Sequence, residues 1–196
     1  MCGRYALHSN PDAVALEVGL DSPPDFTPRY NIAPMAPVLI VKRDGAALAR
    51  WGLVPRWSSD PAIGMKLINA RAETLGEKPS FRDAYHRRRC LIPANGFYEW
   101  KRQGELKQPY YVHPADGALF AFAGLWDTWR DTHTCTIVTT EANATMRAIH
   151  DRMPVIIARE HYAGWLHGEE GLLRPPPAAA IRCYPMDSEL QKSLFD

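Results

Sequence analysis

No stretch of this chain approaches the run of about 18 apolar residues that a membrane-crossing helix requires. No basic region followed by a long apolar stretch marks the N-terminus as a secretory signal, so a cytosolic protein with no membrane partner is expected. Net charge is nearly absent as well, at +1. That excludes general polycation attraction to nucleic acid, and any such site must be a local patch. Cysteines are few and scattered, at Cys2, Cys90, Cys135 and Cys183. Without a C-x-x-C pair or paired histidines at ligand spacing, they argue against zinc, and no metal or cofactor is expected. Cys90 and Cys135 lie in apolar or β-branched surroundings and read as buried, reduced thiols. Repeats, domain boundaries and low-complexity tracts are also missing, apart from Pro175-Pro176-Pro177.

What is present is an ordinary globular composition, 46% hydrophobic and 23% charged over 196 residues. That length predicts one domain spanning 1–196, able to bury roughly 70% of its unfolded surface. Arg4–Leu7 can be a first strand, and Asn10 with Pro11 starts a short helix. The segments 37–42 and 46–51 flank Asp44-Gly45, a strong hairpin signal. Ser80 is placed to cap a helix running through Phe81, Ala84 and Tyr85. Strands are predicted at 89–93, 96–102, 109–113, 118–124, 134–139 and 153–158, with Gln103-Gly104 turning one hairpin. Helices are predicted at 141–149 and 159–167, and much of 20–37 reads as irregular. Short strands with Pro- and Gly-rich turns at this density predict an α+β fold, β-rich, with a barrel-like core decorated by short helices.

Position 2 carries the most chemical information. Removal of Met1 leaves Cys2 with a free α-amine beside its thiol, a 1,2-aminothiol. The amine condenses with an aldehyde and the thiol closes on the imine, giving a five-membered thiazolidine. An α-amine titrates at about 7.7–8.0 and a thiol near 8.5, and a cationic neighbour such as Arg4 is expected to raise the thiolate share. An N-terminal nucleophile that carries its own amine is a working catalytic arrangement.

Three polar constellations stand out further along. In Ile68-Asn69-Ala70-Arg71-Ala72-Glu73-Thr74, Asn69 can orient an amine and Arg71 can clamp a phosphate. In Gly96-Phe97-Tyr98-Glu99-Trp100, a carboxyl sits in an aromatic strand, where desolvation favours the protonated form that a general acid needs. Strand alternation places Glu99 on the face of Phe97, opposite Tyr98 and Trp100. In His150-Asp151-Arg152-Met153-Pro154, His150 can shuttle protons and Asp151 can fix its tautomer. Trp57, beside Arg56, is a candidate stacking surface for bases, and Arg82 with Arg87-Arg88-Arg89 can meet phosphates. Read singly, each has a plainer account: an accidental Cys2, a turn Asn before a surface Arg, a half-exposed strand Glu, a surface His, a solvated helix face.

Taken in order, Met1-Cys2-Gly3-Arg4-Tyr5, Arg29-Tyr30-Asn31-Ile32-Ala33-Pro34, Trp51-Gly52-Leu53-Val54-Pro55 and the three constellations resemble the SRAP family. This is the SOS response-associated peptidase family, also called abasic-site processing proteins. The resemblance runs from Cys2 to about Pro185. It implies a monomer that crosslinks covalently to abasic sites in single-stranded DNA, the abasic deoxyribose opening to the aldehyde that Cys2 calls for. By match to the family's motifs, Cys2 is the nucleophile, Asn69 positions its amine, Glu99 serves as acid and base, and His150 assists sugar ring opening and reversal. Arg4, Arg71 and Arg152 hold phosphates, and Trp57 and Trp100 line the strand's path. Two rival functions stay open, an N-terminal-nucleophile peptidase using Cys2, Glu99 and His150, and a non-covalent single-strand binder. Only the tail after Asp187 departs from the family's pattern, which usually continues with a Val-Asn-containing segment.

Overall fold

The computed structural model describes residues 2–187 and Leu194; the departing tail lies outside them, Leu194 excepted. The chain opens with β1 (Arg4–Leu7), α1 (Pro11–Val18), β2 (Arg29–Ile32), β3 (Pro37–Lys42), β4 (Gly45–Trp51) and β5 (Asn69–Arg71). Next come α2 (Arg82–Arg87), β6 (Arg89–Ala94), β7 (Gly96–Gln103), β8 (Leu106–Pro114), β9 (Phe120–Trp129) and β10 (Thr132–Glu141). It continues through α3 (Ala144–Arg147), β11 (Arg152–Pro154), β12 (Ile156–Ile157), α4 (Tyr162–His167) and β13 (Ile181–Pro185). Among the described residues no helix is long and apolar enough to cross a membrane.

Five strands close on themselves in the order β10–β4–β3–β6–β9 and back to β10, forming the expected barrel. All neighbours in it are antiparallel except β4 and β10, which run parallel and meet at Arg50–Thr134 and Trp51–Cys135. β5 and β11 hang on β10, and β12 on β9. A second sheet, β13–β8–β7–β1–β2, lies beside the barrel.

Side-chain alternation explains why these strands read as nearly continuous apolar runs. Ile40, Ile92, Phe122 and Ile137 join Tyr5, Trp51 and Phe97 in one core cluster. Their strand neighbours Val41, Leu91, Ala123 and Val138 join Phe81, Tyr162 and Trp165 in a second, under α2 and α4. Every residue of β6 is buried. At about 1.5–3 kcal/mol for each fully buried Leu, Ile or Phe, that strand alone outweighs any single surface ion pair.

β6 and β7 are one extended stretch turned at Asn95 from the barrel into the second sheet. Asn95 holds the corner: its Oδ1 accepts from the His8 and Ser9 backbone N–H groups at 2.7 and 3.0 Å, and its Nδ2 donates to Ser9 Oγ. Gly96 is required next, because a Cβ there would lie 2.5 Å from the Tyr111 ring and 2.6 Å from the Val112 carbonyl oxygen.

Several local expectations shift. The helix predicted over 141–149 shrinks to α3, because β10 continues to Glu141 and pairs it with Arg152, and Asn143 caps the turn that follows. The strand predicted over 153–158 is two strands. At Val155 the chain crosses from β10 to β9, its N–H donating to Val138 and its carbonyl accepting from Ala123. The helix over 159–167 opens with a 3₁₀ turn at Arg159–His161 before α4. α2 starts at Arg82 behind Phe81 without a side-chain cap, so Ser80 does not cap it. Both hairpin loops move by one residue, to Arg43-Asp44 and Gly104-Glu105, since Lys42 pairs with Gly45 and Gln103 with Leu106. The proline-rich 20–37 segment contains β2, paired to β1.

Candidate active site

β1 lies antiparallel to β7 with Tyr5 opposite Phe97 and Arg4 opposite Tyr98, so the residues before Arg4 run alongside Glu99 and Trp100. The predicted alternation holds on β7. Phe97 and Glu99 are buried on one face, while Tyr98 and Trp100 pack with Ala6 and Met186 on the other. Cys2 is fully buried in the same cluster as Tyr5, Trp51 and Phe97. Desolvation pushes its thiol well above the ordinary cysteine range, and the nearby charge of Glu99 adds to the rise.

The net shift runs toward the neutral thiol, against the expectation that a cationic Arg4 raises the thiolate share, because desolvation outweighs the local Arg4 contact. The Arg4 guanidinium donates to Asn31 Oδ1 at 2.8 Å, and what Arg4 offers the thiol is its carbonyl oxygen, 3.8 Å from Sγ. The neutral thiol is the resting form, so it must lose its proton as it reacts.

Asn69 reaches Cys2 from the other side. β5 runs parallel to β10 with Asn69 opposite Ile137 and Arg71 opposite Thr139. The approach is fixed by the Ile68 carbonyl, which accepts from Trp51 Nε1 at 2.8 Å and from the Ile137 N–H at 3.1 Å. Asn69 Nδ2 then donates to the Cys2 carbonyl oxygen at 2.8 Å. Asn69 Oδ1 is buried with no hydrogen-bond partner among the described residues. Cys2, Asn69 and Glu99 are thus brought together, though they are far apart in sequence.

The remaining predicted residues are placed less uniformly. Arg152, opposite Glu141 on β10, forks onto Glu73 with contacts of 2.6 and 3.0 Å and also donates to the Thr139 carbonyl at 2.7 Å. Glu73 is half-exposed, and the hydrogen bond from Arg152 holds its carboxyl below the ordinary glutamate range. Arg71 is exposed on β5 beside this pair. His150 Nδ1 accepts the Arg152 backbone N–H at 2.9 Å when unprotonated, and faces Asp151 Oδ1 at 2.8 Å. Asp151 can therefore pair with the ring only in a tautomer that gives up the Arg152 bond. Trp57 is 61% exposed. Its loop is tied to the β9–β10 hairpin through Arg56 to Asp127 and through Trp129 Nε1 to the Ser58 carbonyl. That tether is toward the start of β10, whereas Asn69 and Arg71 pair toward its end, so the described contacts do not join Trp57 to the Cys2 cluster.

Sequence reasoning missed two contributors. Glu73 carries its signal in Arg71-Ala72-Glu73, which sets opposite charges two residues apart. Asn31, which receives Arg4, carried no signal besides its place in the Arg29–Ile32 motif. Among the described residues no three His, Cys, Asp or Glu side chains converge to hold a metal ion.

Comparison with known proteins gives consistent matches over most of the chain. A family described as SOS response associated peptidase (SRAP) matches residues 1–193. The Bacillus subtilis abasic site processing protein YoaM is 43% identical, the match covering 96% of this chain and 92% of the relative. The Escherichia coli abasic site processing protein YedK is 32% identical, covering 94% and 88%. Among solved structures, a Bacteroides thetaiotaomicron protein superposes with a TM-score of 0.90 at 28% identity, covering 97% of this chain and 94% of that one.

Proposed function

The chain belongs to the SOS response associated peptidase (SRAP) family, and from that premise we propose that it processes abasic sites in single-stranded DNA by covalent capture on Cys2. The observation that carries this reading is the grip of Asn69 on the Cys2 carbonyl, 2.8 Å away, with the Glu99 carboxylate acting on the Cys2 thiol. A thiol buried only for packing needs neither neighbour.

Hydrolysis of the Met1–Cys2 bond frees the α-amine. The amine adds to C1′ of the ring-opened abasic sugar, giving a carbinolamine. Glu99, having taken up the proton that the α-ammonium sheds before it adds, donates it to the departing hydroxyl, and loss of water leaves an iminium. The carboxylate so formed accepts the Cys2 thiol proton as Sγ bonds to the same carbon, and the nitrogen keeps its hydrogen in the closed thiazolidine. Shuttling one proton through one carboxyl suits a thiol that rests neutral. Asn69 Oδ1, buried and open, is the acceptor that orients the freed amine. His150 assists ring opening of the sugar and reversal of the adduct, and Arg4, Arg71 and Arg152 receive flanking phosphates. For Arg152, binding a phosphate means loosening its fork from Glu73.

The test is incubation of the full chain, Met1 removed, with abasic single-stranded DNA and with the same site inside duplex DNA, followed by a denaturing gel. A shifted band that survives denaturation and forms faster on the single strand is expected, because extrusion from a duplex costs a few kcal/mol. Cleavage of a protein substrate without an adduct would favour the peptidase reading. Reversible DNA binding alone would favour a non-covalent binder.

A further inference from the structure

The end of β4 opposite Trp51 carries a second concave site. Between the Arg43-Asp44 turn, α2 and α4 lies a cleft of about 490 Å³. Six residues of β4, from Gly45 to Arg50, separate it from Trp51, a span of roughly 20 Å at strand rise. Lys42, Arg43, Arg87 and Arg89 line it together with two histidines, against one carboxylate, Asp44. Asp44 is bound to Lys42 at 3.2 Å but is itself largely exposed, so it neutralises the cleft poorly. The pair between Arg87 and Asp83, at 3.5 Å, is exposed on both sides and weak for the same reason.

Arg89 is the independent observation. It is only 7% exposed. Its guanidinium lies 4.4 Å from the Tyr85 ring and 4.5 Å from the Trp165 ring. Its Nε donates to the Tyr85 carbonyl at 2.9 Å and its Nη1 to the Glu169 carbonyl at 2.7 Å. Both acceptors are neutral, and the Glu169 carboxylate is turned to His161 at 3.3 Å. The charge of Glu170 reaches this buried guanidinium but not at ion-pair distance, so a group held by rings and carbonyls has room for a closer anion. Lys42 adds a point charge at the rim, its Nζ 4.8 Å from the Trp126 ring centre.

We propose that this cleft binds a phosphate group, at a site separate from Cys2. Donors arrive from three directions: Arg89 from the floor, Lys42 and Arg43 from the turn, Arg87 from α2. A tetrahedral dianion answers such a set, whereas a planar carboxylate is satisfied by one fork. The phosphate can come from a nucleic-acid strand or from a free phosphorylated compound, and the experiment separates these sources. The inference does not depend on covalent capture at Cys2.

The experiment is isothermal titration of the full chain with inorganic pyrophosphate and with an unmodified oligothymidylate. An Arg4→Ala/Arg71→Ala/Arg152→Ala background removes all three arginines assigned to phosphates at the Cys2 end. The comparison variants are Arg43→Glu/Arg87→Glu, both exposed, and Arg89→Lys, with thermal melts as the folding control. Saturable binding of at least one probe is expected, weakened about tenfold or more by the charge-reversed pair, since like-charge juxtaposition in a binding site costs at least that much. The melting temperature of that pair should match its background. Weaker binding by folded Arg89→Lys supports the fork; if that variant does not fold, the exposed pair decides. Displacement of pyrophosphate by the oligonucleotide, or binding of the oligonucleotide alone, identifies a strand as the source. Pyrophosphate that the oligonucleotide cannot displace identifies a free phosphorylated compound. No saturable binding by either probe, or binding indifferent to charge reversal, overturns the proposal.

Discussion

Two carboxylates in this fold are equally buried, each 4% exposed, and are put to different uses. Asp127, on β9, accepts the Arg56 side chain at 3.0 and 2.9 Å and the backbone N–H groups of Arg56 and Thr128 at 3.1 and 2.8 Å. Arg88 Nε approaches it at 3.2 Å as an ion pair, off hydrogen-bond geometry. Asp127 therefore fastens the loop after β4 and the end of α2 to the barrel. Glu99, on β7, accepts the Trp100 N–H at 3.2 Å and turns its charge on a thiol. Burial alone does not say what a carboxylate is for. The cationic partners of Asp127 make it a fastener; in the proposed mechanism the thiol, with a proton to lose, makes Glu99 a reagent.

The sharpest way to break this comparison is to remove the thiol. Cys2→Ala should abolish the denaturation-resistant adduct completely while leaving DNA affinity within a few fold, because phosphate and stacking contacts supply the affinity. An adduct surviving in that variant would remove Glu99's proposed partner altogether.

Exchanging the two carboxylates' roles is the next test. Glu99→Gln should slow crosslink formation by about 10²–10⁴-fold with little change in melting temperature. Asp127→Ala should do the reverse, losing about 3 kcal/mol of stability in denaturant unfolding while reacting normally at temperatures where it stays folded. That figure is at the low end for a broken buried pair, because Arg88 keeps Asp83 as a partner. If both variants lost stability and neither lost rate, the distinction would collapse.

His150→Ala should have a smaller effect on formation than Glu99→Gln and should slow release of an adduct already made. Pulse-chase decay of purified adduct would show this, and wild-type decay would exclude His150 from reversal.

The smallest effect belongs to a third carboxylate, Glu73, which shares features of both. Its folded-state value is below its unfolded one, so its pair with Arg152 contributes fully above the unfolded value of about 4.3 and is lost as pH falls through the lower, folded one. Glu73 is half-exposed, and solvent screening limits the contribution to about 0–1 kcal/mol. The stability gap between wild type and Glu73→Gln should therefore be small at neutral pH and close in acid. A gap that widened on acidification would contradict the assignment.

Much of this was legible beforehand because local chemistry set it. The apolar 89–94 stretch, the 37–51 hairpin and the alternation that turns Glu99 inward with Phe97 all follow from side-chain period and turn residues. The 141–149 segment misled because Ala142, Met146 and Ile149 are spaced as on a helix, while the Arg152 pairing that extends β10 is a tertiary fact. Likewise Cys2, Asn69 and Glu99 each carried a chemical hint, but only the parallel docking of β5 on β10 and the antiparallel docking of β1 on β7 put them within reach. The Glu73–Arg152 and Asp127–Arg56 pairs, 79 and 71 residues apart, are invisible to any local pattern.

The parallel contact between β4 and β10 has a bearing on time as well as shape. It is the seam that closes the barrel, it rests on two register pairs, and it joins segments far apart in the chain. Such a contact is expected to form after the β3–β4 and β9–β10 hairpins have each found their own register, because its loop-closure cost is larger. With only two register pairs it is where local opening is expected, and it ends at Trp51, whose indole fixes the approach to Asn69. Amide exchange at Gly52, whose N–H reaches across to the Cys135 carbonyl at 2.8 Å, should therefore run faster than at the middle of β6. In the proposed mechanism, parting of this seam is what would admit an abasic sugar to the fully buried thiol.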